Sequence, residues 1–272
     1  MKFSIALSPV KSIFSPLLYS GDLIQGVKKA AEIGYDGVEL NIRDVTSESL
    51  DDFLSITKSL HVDVAALGTG QSYLTDGWSI LSPDLSIQRK LFDRLKSHVD
   101  FCAKINAKLI LGGVFGKLTG NDNEKTAQEE SAADFVRRLA QYAAKNDVDI
   151  VLEPINRYET NFLNTIEQAL QFIEKVDCHN LYVLPDTFHM NIEESDILSS
   201  IRQAGKLIGH FHVADSNRLS AGSGHIDFLM IMRTLESIGY DGFVSGEFIP
   251  YPDDDFAAAS HLSHLKNYFK ET

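Results

Sequence analysis

Four residues of metal-ligating or acid–base type sit at the ends of four strand-like runs in the second half of the chain. IVLE closes on Glu153, LYVLPD on Asp186, LIGHFH on His212 and FVSGE on Glu247. Three hard carboxylate oxygen donors and one imidazole suit Mn²⁺, Mg²⁺ or Co²⁺ better than a thiolate-type zinc centre. Taken singly, a carboxylate after a strand is as readily a helix cap or a solvated loop residue. His212 alone is as readily a hydrogen-bonded core histidine. Their recurrence at successive strand ends is what points to one shared site. A second set of polar residues follows the same strands: Asn156, Arg157 and Glu159 in EPINRYE, His189 in DTFHM, and Arg218 in HVADSNR. These suit hydrogen bonds to hydroxyl groups, although Arg157 and Glu159 could equally form a surface ion pair. Asp215 and Asn217 are common turn residues and read as loop-shaping, and Asp227 reads as a helix cap. The histidines at 61, 98, 179, 261 and 264 fall on helices or helix ends and read as surface residues. Ser4, Ser8 and Ser223 lie in no nucleophile elbow, which argues against Ser-His-Asp hydrolysis.

To bring those strand ends together, the elements between them must alternate. Apolar β-branched runs predict strands over 3–7, 37–42, 62–67, 108–111, 149–153, 181–186, 208–212 and 243–247. Helical spacing predicts helices over 22–33, 47–60, 84–105, 124–145, 164–176, 196–204, 227–238 and 256–269, with Ser47 or Thr46 capping the second. The Gly-rich GTGQSYLTDG after the third strand reads as a loop. Eight strand–helix units in 272 residues predict a closed (β/α)8 barrel, a TIM barrel. In that fold active sites form at the carboxyl ends of the strands, where the four residues above would converge. An open doubly wound sheet is the competitor, but no GxGxxG follows the first strand. No linker or composition break interrupts the chain, so 1–272 is expected to be a single domain. IGYDG occurs twice, at 33–37 and 238–242, each time joining a helix end to a strand start on the face opposite the expected site.

The charge balance narrows the partners. With 38 acidic against 25 basic residues the net charge is -13, and no Lys/Arg run is present beyond Arg137–Arg138, so nucleic acid is disfavoured. Cys102 and Cys178 lack CxxC spacing and are expected to be buried thiols in a reducing compartment. MKFSIALSPV reads as a first strand rather than a signal peptide, and no apolar stretch reaches the roughly 18 residues of a membrane span. A soluble cytoplasmic protein is expected.

EPINRYE, DTFHMNIEE, HFHVADSNR and the late GEF together resemble the D-tagatose 3-epimerase-like sugar epimerases of the xylose-isomerase-like barrels. ALGTGQSYLTDG extends the likeness into the first half, and with HFHVADSNR it is most similar to the 5-keto-L-gluconate epimerase subgroup. The resemblance implies that Glu153, Asp186, His212 and Glu247 hold one divalent metal, typically Mn²⁺, and that Glu153 and Glu247 are also the acid–base pair. It implies that His189, Arg218 and Glu159 bind substrate oxygens, and that the protein is a homodimer or homotetramer. Leu7 and Ser8 stand where the ketohexose members carry an aromatic wall, and Phe115 is the nearest aromatic to a tryptophan usual near strand four.

The implied chemistry is epimerisation of a ketose or keto-hexonate: one glutamate removes the proton beside the carbonyl, a cis-enediolate forms, and the other glutamate reprotonates the opposite face. Proton return to the neighbouring carbon would instead make a hydroxypyruvate or other aldose–ketose isomerase. An endonuclease IV-like nuclease would need more histidine ligands and a basic groove, and a non-catalytic sugar-binding barrel would not need two opposed glutamates. No Gly-rich loop with lysine is present to cradle phosphate, although Gly112–Gly113 backbone amides could take that role.

Overall fold

The computed structural model describes residues 1–11, 16–46 and 50–267. Strand β1 (Lys2–Leu7) leads to α1 (Leu23–Ile33), β2 (Gly37–Asn41), α2 (Asp51–Ser59) and β3 (Asp63–Gly68). A short α3 (Gln71–Asp76) and a long α4 (Leu85–Ile105) precede β4 (Lys108–Leu111), α5 (Asp122–Ala144) and β5 (Ile150–Leu152). Then come α6 (Ile166–Val176), β6 (Leu181–Val183), α7 (Thr187–Glu193), α8 (Ile197–Ala204), β7 (Phe211–Val213), α9 (Phe228–Ser237), β8 (Phe243–Gly246) and α10 (Asp254–Asn267).

The strands form one parallel eight-stranded sheet in the order β6-β5-β4-β3-β2-β1-β8-β7. Its first and last strands meet, so the sheet is curled into the expected (β/α)8 architecture. The β6–β7 junction differs from the others. It carries no continuous ladder, only isolated parallel bridges at Val183↔Ile208 and Asp186↔His212. The Gly209 N–H donates to the Val183 carbonyl (3.0 Å) and the His212 N–H to the Pro185 carbonyl (2.9 Å) across it.

Local chemistry sets the helix starts. Asp22, Asp84, Asp196 and Asp227 each accept a backbone N–H from the first turn. Asn121 with Glu124, and Thr165 with Gln168, form complete capping boxes. Such a cap is worth about 1 kcal/mol against alanine. The alternation of the strands splits the apolar residues between two layers. Leu109, Leu111, Ile150 and Leu152 join the large core between strands and helices, whereas Ala66, Ile110, Val151 and Leu184 form a separate small cluster.

Several local expectations change. GTGQSYLTDG is not all loop: Gln71–Asp76 is helical, ended by Gly77 in the left-handed conformation. The Asp76 carboxylate anchors that helix by accepting from both Arg43 and Arg94. α2 is preceded by Leu50 with no side-chain cap, and the Thr46 hydroxyl donates to Asp44 instead (2.7 Å). The alternative cap Ser47 and the expected helix end at 268–269 lie outside the described residues. His98 and His261 are fully buried rather than superficial, because each lies on the inward face of its helix; His261 stacks on Phe248 with centroids 4.5 Å apart. Cys102 is buried as expected but Cys178 is only partly so. Among the described residues no helix is long and apolar enough to cross a membrane.

Candidate active site

The parallel strands deliver the four candidate ligands to one mouth. Glu153 directly follows β5, and its N–H donates to the Leu111 carbonyl of β4 (3.0 Å). Glu247 directly follows β8 and is tied by its N–H to the Val213 carbonyl of β7 (3.2 Å). Asp186 caps α7: its Oδ1 accepts the Phe188 N–H (2.8 Å), which leaves Oδ2 for other partners. One ligand atom from each of Glu153, Asp186, His212 and Glu247 lies within 4.8 Å of all the others. His212 Nδ1 is the hub, 3.3 Å from Glu153 Oε1, 3.5 Å from Glu247 Oε2 and 3.8 Å from Asp186 Oδ2. Gly112 makes room for the cluster, since a Cβ there would run into Glu153 Oε2. His212 Nδ1 and Glu153 Oε1 are buried and have no hydrogen-bond partner of acceptable geometry. Unpartnered buried polar atoms are rare because they forfeit hydration without compensation. A divalent cation among these hard donors would satisfy both, so the residues fit a metal.

Beneath the hub lies a group that sequence reasoning missed. Glu39 of β2 is fully buried, and its Oε2 accepts from His210 Nε2 (3.0 Å) and His212 Nε2 (2.8 Å). With Nε2 engaged, the His212 ring presents Nδ1 to the three carboxylates. Burial opposes charge here, yet the two imidazoles hold the Glu39 carboxyl well below its ordinary range. Burial likewise opposes the His212 cation, but Glu39 and Glu247 raise that ring well above the usual histidine value. Two signals were available in the sequence: a glutamate inside the apolar GVELN strand, and the HxH spacing that puts His210 and His212 on one strand face.

Arg218 closes the cluster from above. Its guanidinium bonds Asp186 Oδ2 and Glu247 Oε2 and lies 4.9 Å from the Phe188 ring centre. Arg218 adopts a left-handed φ of 62° in a loop organised by Asp215, as its turn-residue character suggested. The Asp215 carboxylate accepts the N–H groups of Ser216, Gly222 and Ile226. The result is an asymmetric pair of carboxyls. Burial pushes the Glu153 carboxyl up to about 7, with the negative charges of Glu247 and Asp186 adding to it against His212. Burial acts in the same sense on Asp186, but Arg218, His189 and His212 hold it down at about 2.

A pocket opens over this floor. Its walls include Glu159, His189, Asn41, Gln71 and the backbone of Gly112–Gly113, with Leu17, Leu74, Ile110 and Ile155 as apolar surfaces. The three residues expected to touch substrate, His189, Arg218 and Glu159, therefore all reach it. Their neighbours do not. Asn156 is buried behind Glu159 and His189 rather than facing the mouth. Arg157 turns outward and pairs with Glu193 through its Nε, its Nη2 and its own backbone N–H, not with Glu159. Phe115 is buried against Phe162 and Phe172, away from the pocket walls, where Leu17 and Leu74 stand instead. Burial lowers the His189 ring below its ordinary value, so it is neutral near pH 7.

Sugar epimerases are among the known proteins to which this chain is similar. An L-ribulose 3-epimerase from Methylomonas sp. is 31% identical over 239 residues, covering 85% of this chain and 82% of that protein. The 3-dehydro-D-guloside 4-epimerase of Escherichia coli is 25% identical over 232 residues, covering 82% of this chain and 86% of that protein. The crystal structure of a D-allulose 3-epimerase from Methylomonas sp. in complex with D-allulose superposes with a TM-score of 0.83 at 26% identity, covering 98% of this chain and 97% of that one. The xylose isomerase-like TIM barrel family model matches residues 27–268, and the chain belongs to that family.

Proposed function

We propose that this protein is a divalent-metal-dependent epimerase of a neutral ketose, with Mn²⁺ as the first metal to test. The observation that carries the reading is the placement of two glutamates, Glu153 and Glu247, 3.3 and 3.5 Å from His212 Nδ1 at the floor of a pocket walled by hydrogen-bonding groups. Glu153, Asp186, His212 and Glu247 would hold the metal, which when bound supplies the Lewis acidity that loosens the C–H bond beside a carbonyl. One glutamate then removes that proton and the other delivers a proton to the opposite face, which inverts the carbon. In the metal-free site burial and the charges of Glu247 and Asp186 raise the Glu153 carboxyl, a counterweight to the lowering a bound cation would impose on a general acid or base there. His189 and Glu159 offer a donor and an acceptor to the sugar hydroxyls, and the apolar walls exclude water around the reacting carbon.

Of the two expected substrate classes, a ketose fits better than a keto-hexonate. Among the described residues that line the pocket, Arg218 is the one lysine or arginine, and two carboxylates already share it. Glu39, Glu153, Glu159, Asp186 and Glu247 keep the surroundings negative even after a divalent cation is counted. A carboxylate or phosphate on the substrate would meet repulsion there. Metal-reconstituted protein incubated with a panel of ketoses and keto-hexonates in D₂O tests the reading. The expected result is Mn²⁺-dependent deuterium incorporation with inversion of one carbon of a ketose. Aldose products would establish isomerisation instead, and a preference for keto-hexonates would refute the charge argument.

A further inference from the structure

Two of the three groups expected to touch the sugar, His189 and Glu159, are held by one residue that does not line the pocket itself. Asn156 follows β5, is 1% exposed, and spends its whole side chain on protein partners. Its Oδ1 accepts the Tyr158 N–H (3.0 Å). Its Nδ2 lies 2.8 Å from Glu159 Oε1 and 2.8 Å from His189 Nδ1. The orientation of this amide is over-determined. An ionised carboxylate only accepts and a backbone N–H only donates, so Nδ2 must face Glu159 and Oδ1 must face Tyr158. The second Nδ2 hydrogen then points at His189 Nδ1. The Asn156 backbone N–H is aimed at the same nitrogen from 3.4 Å. Two donors from one residue converge on Nδ1, so that nitrogen must carry the lone pair and the ring proton must sit on Nε2. His189 Nε2 is 4.0 Å from Asp186 Oδ2, too far for that carboxylate to consume the proton.

We infer that Asn156 is a positioning residue: it locks His189 as the Nε2–H tautomer and fixes the Glu159 carboxylate, so the pocket presents one defined donor and one defined acceptor to the sugar. This inference rests on the reading of His189 and Glu159 as substrate contacts. It gives specificity a physical basis, because a freely exchanging tautomer would offer the same hydroxyl a donor in one form and a lone pair in the other. A sugar epimer with the hydroxyl differently placed would then lose the bond rather than find a second one.

Long-range ¹H–¹⁵N spectra of the ¹⁵N-labelled full chain loaded with diamagnetic Mg²⁺ test it, with His189 assigned by its loss in His189→Gln. The expected wild-type spectrum has the proton on Nε2; a proton on Nδ1 overturns the inference without any variant. Asn156→Asp replaces the donor by an acceptor, so the proton is expected to move to Nδ1, with kcat/KM falling about 100-fold, mainly through KM, as the loss of a well-placed hydrogen bond to a buried partner implies. Asn156→Ala, which lacks both donor and acceptor, is expected to give a mixture of tautomers and a smaller loss. An Asn156→Asp protein that keeps the Nε2 proton, or flips it with KM unchanged, overturns the positioning role. A wild-type chain with the Nε2 proton but no activity on any sugar would overturn the functional reading and leave the tautomer assignment intact.

Discussion

Arg218→Met exposes the charge balance of the site most directly. The side chain of Arg218 is 11% exposed and bonds two carboxylates, one of them the fully buried Asp186. Methionine keeps most of the stem but removes the guanidinium, and with it both carboxylate bonds and the contact with the Phe188 ring. Asp186 and Glu247 are then left facing Glu153 with only His212 among the four to offset them. Removing one partner of a buried ion pair costs about 3–5 kcal/mol, because the other charge stays buried and uncompensated. For a domain near this size each kcal/mol moves the melting temperature by about 2–4 °C, so the metal-free variant should melt about 6–20 °C below wild type. A divalent cation supplies the missing positive charge. The stabilisation on adding Mn²⁺ should therefore be larger in the variant than in wild type, since wild type already holds a cation against those carboxylates. Calorimetric melting in EDTA and in saturating Mn²⁺ measures both quantities. A metal-free Arg218→Met protein that melts within 2 °C of wild type, with the same Mn²⁺-induced shift, would refute the reasoning.

Glu153→Gln and Glu247→Gln should each lower turnover by at least about 100-fold, the lower end of what a positioned general acid or base contributes, with circular dichroism unchanged; an active Glu247→Gln enzyme would remove the two-base scheme. Glu39→Gln should weaken Mn²⁺ binding about 10- to 100-fold in calorimetric titration, the usual consequence of removing the partner that orients a ligating imidazole; unchanged affinity would make Glu39 a mere core group. The buried histidines give a pH signature. Burial lowers His98 to about 4 and His261 to about 3 from an ordinary 6.5. The unfolded chain therefore binds more protons between those values, and stability is complete above pH 6.5 and falls as pH drops toward 4. Each group contributes about 1.4 kcal/mol per pH unit within its window. Urea denaturation of His98→Gln should show a shallower loss between pH 6.5 and 4 than wild type, and identical slopes would contradict the buried-neutral assignment.

Much of this molecule is written in patterns that repeat. Strand–helix alternation made the barrel visible, and position at a strand's carboxyl end made Glu153, Asp186, His212 and Glu247 a group before any coordinates. What was not legible depends on contacts between distant segments. Glu39 lies 171 positions from His210, and nothing local in GVELN says that its carboxylate meets two imidazoles. Asn156 was read as a mouth residue because it follows a ligand-bearing strand, but its amide finds better partners behind the pocket wall. His98 and His261 were misjudged because a histidine on an amphipathic helix has no intrinsic side; the faces that carry Leu91, Leu95 and Leu262 took them inward. GTGQSYLTDG concealed a helix because its glycines dominate the local signal, while Asp76 is held in place by Arg43 and Arg94 from other segments.

The β6–β7 junction gives the site a mechanical role. Elsewhere neighbouring strands are zipped by ladders, but here the two edges of the sheet are held by single bridges, one of them between Asp186 and His212 themselves. A cation held by both residues, as proposed for this site, would act as a clasp across this join. Metal binding would then be expected to slow hydrogen exchange at the Gly209 and His212 amides, which donate across the join.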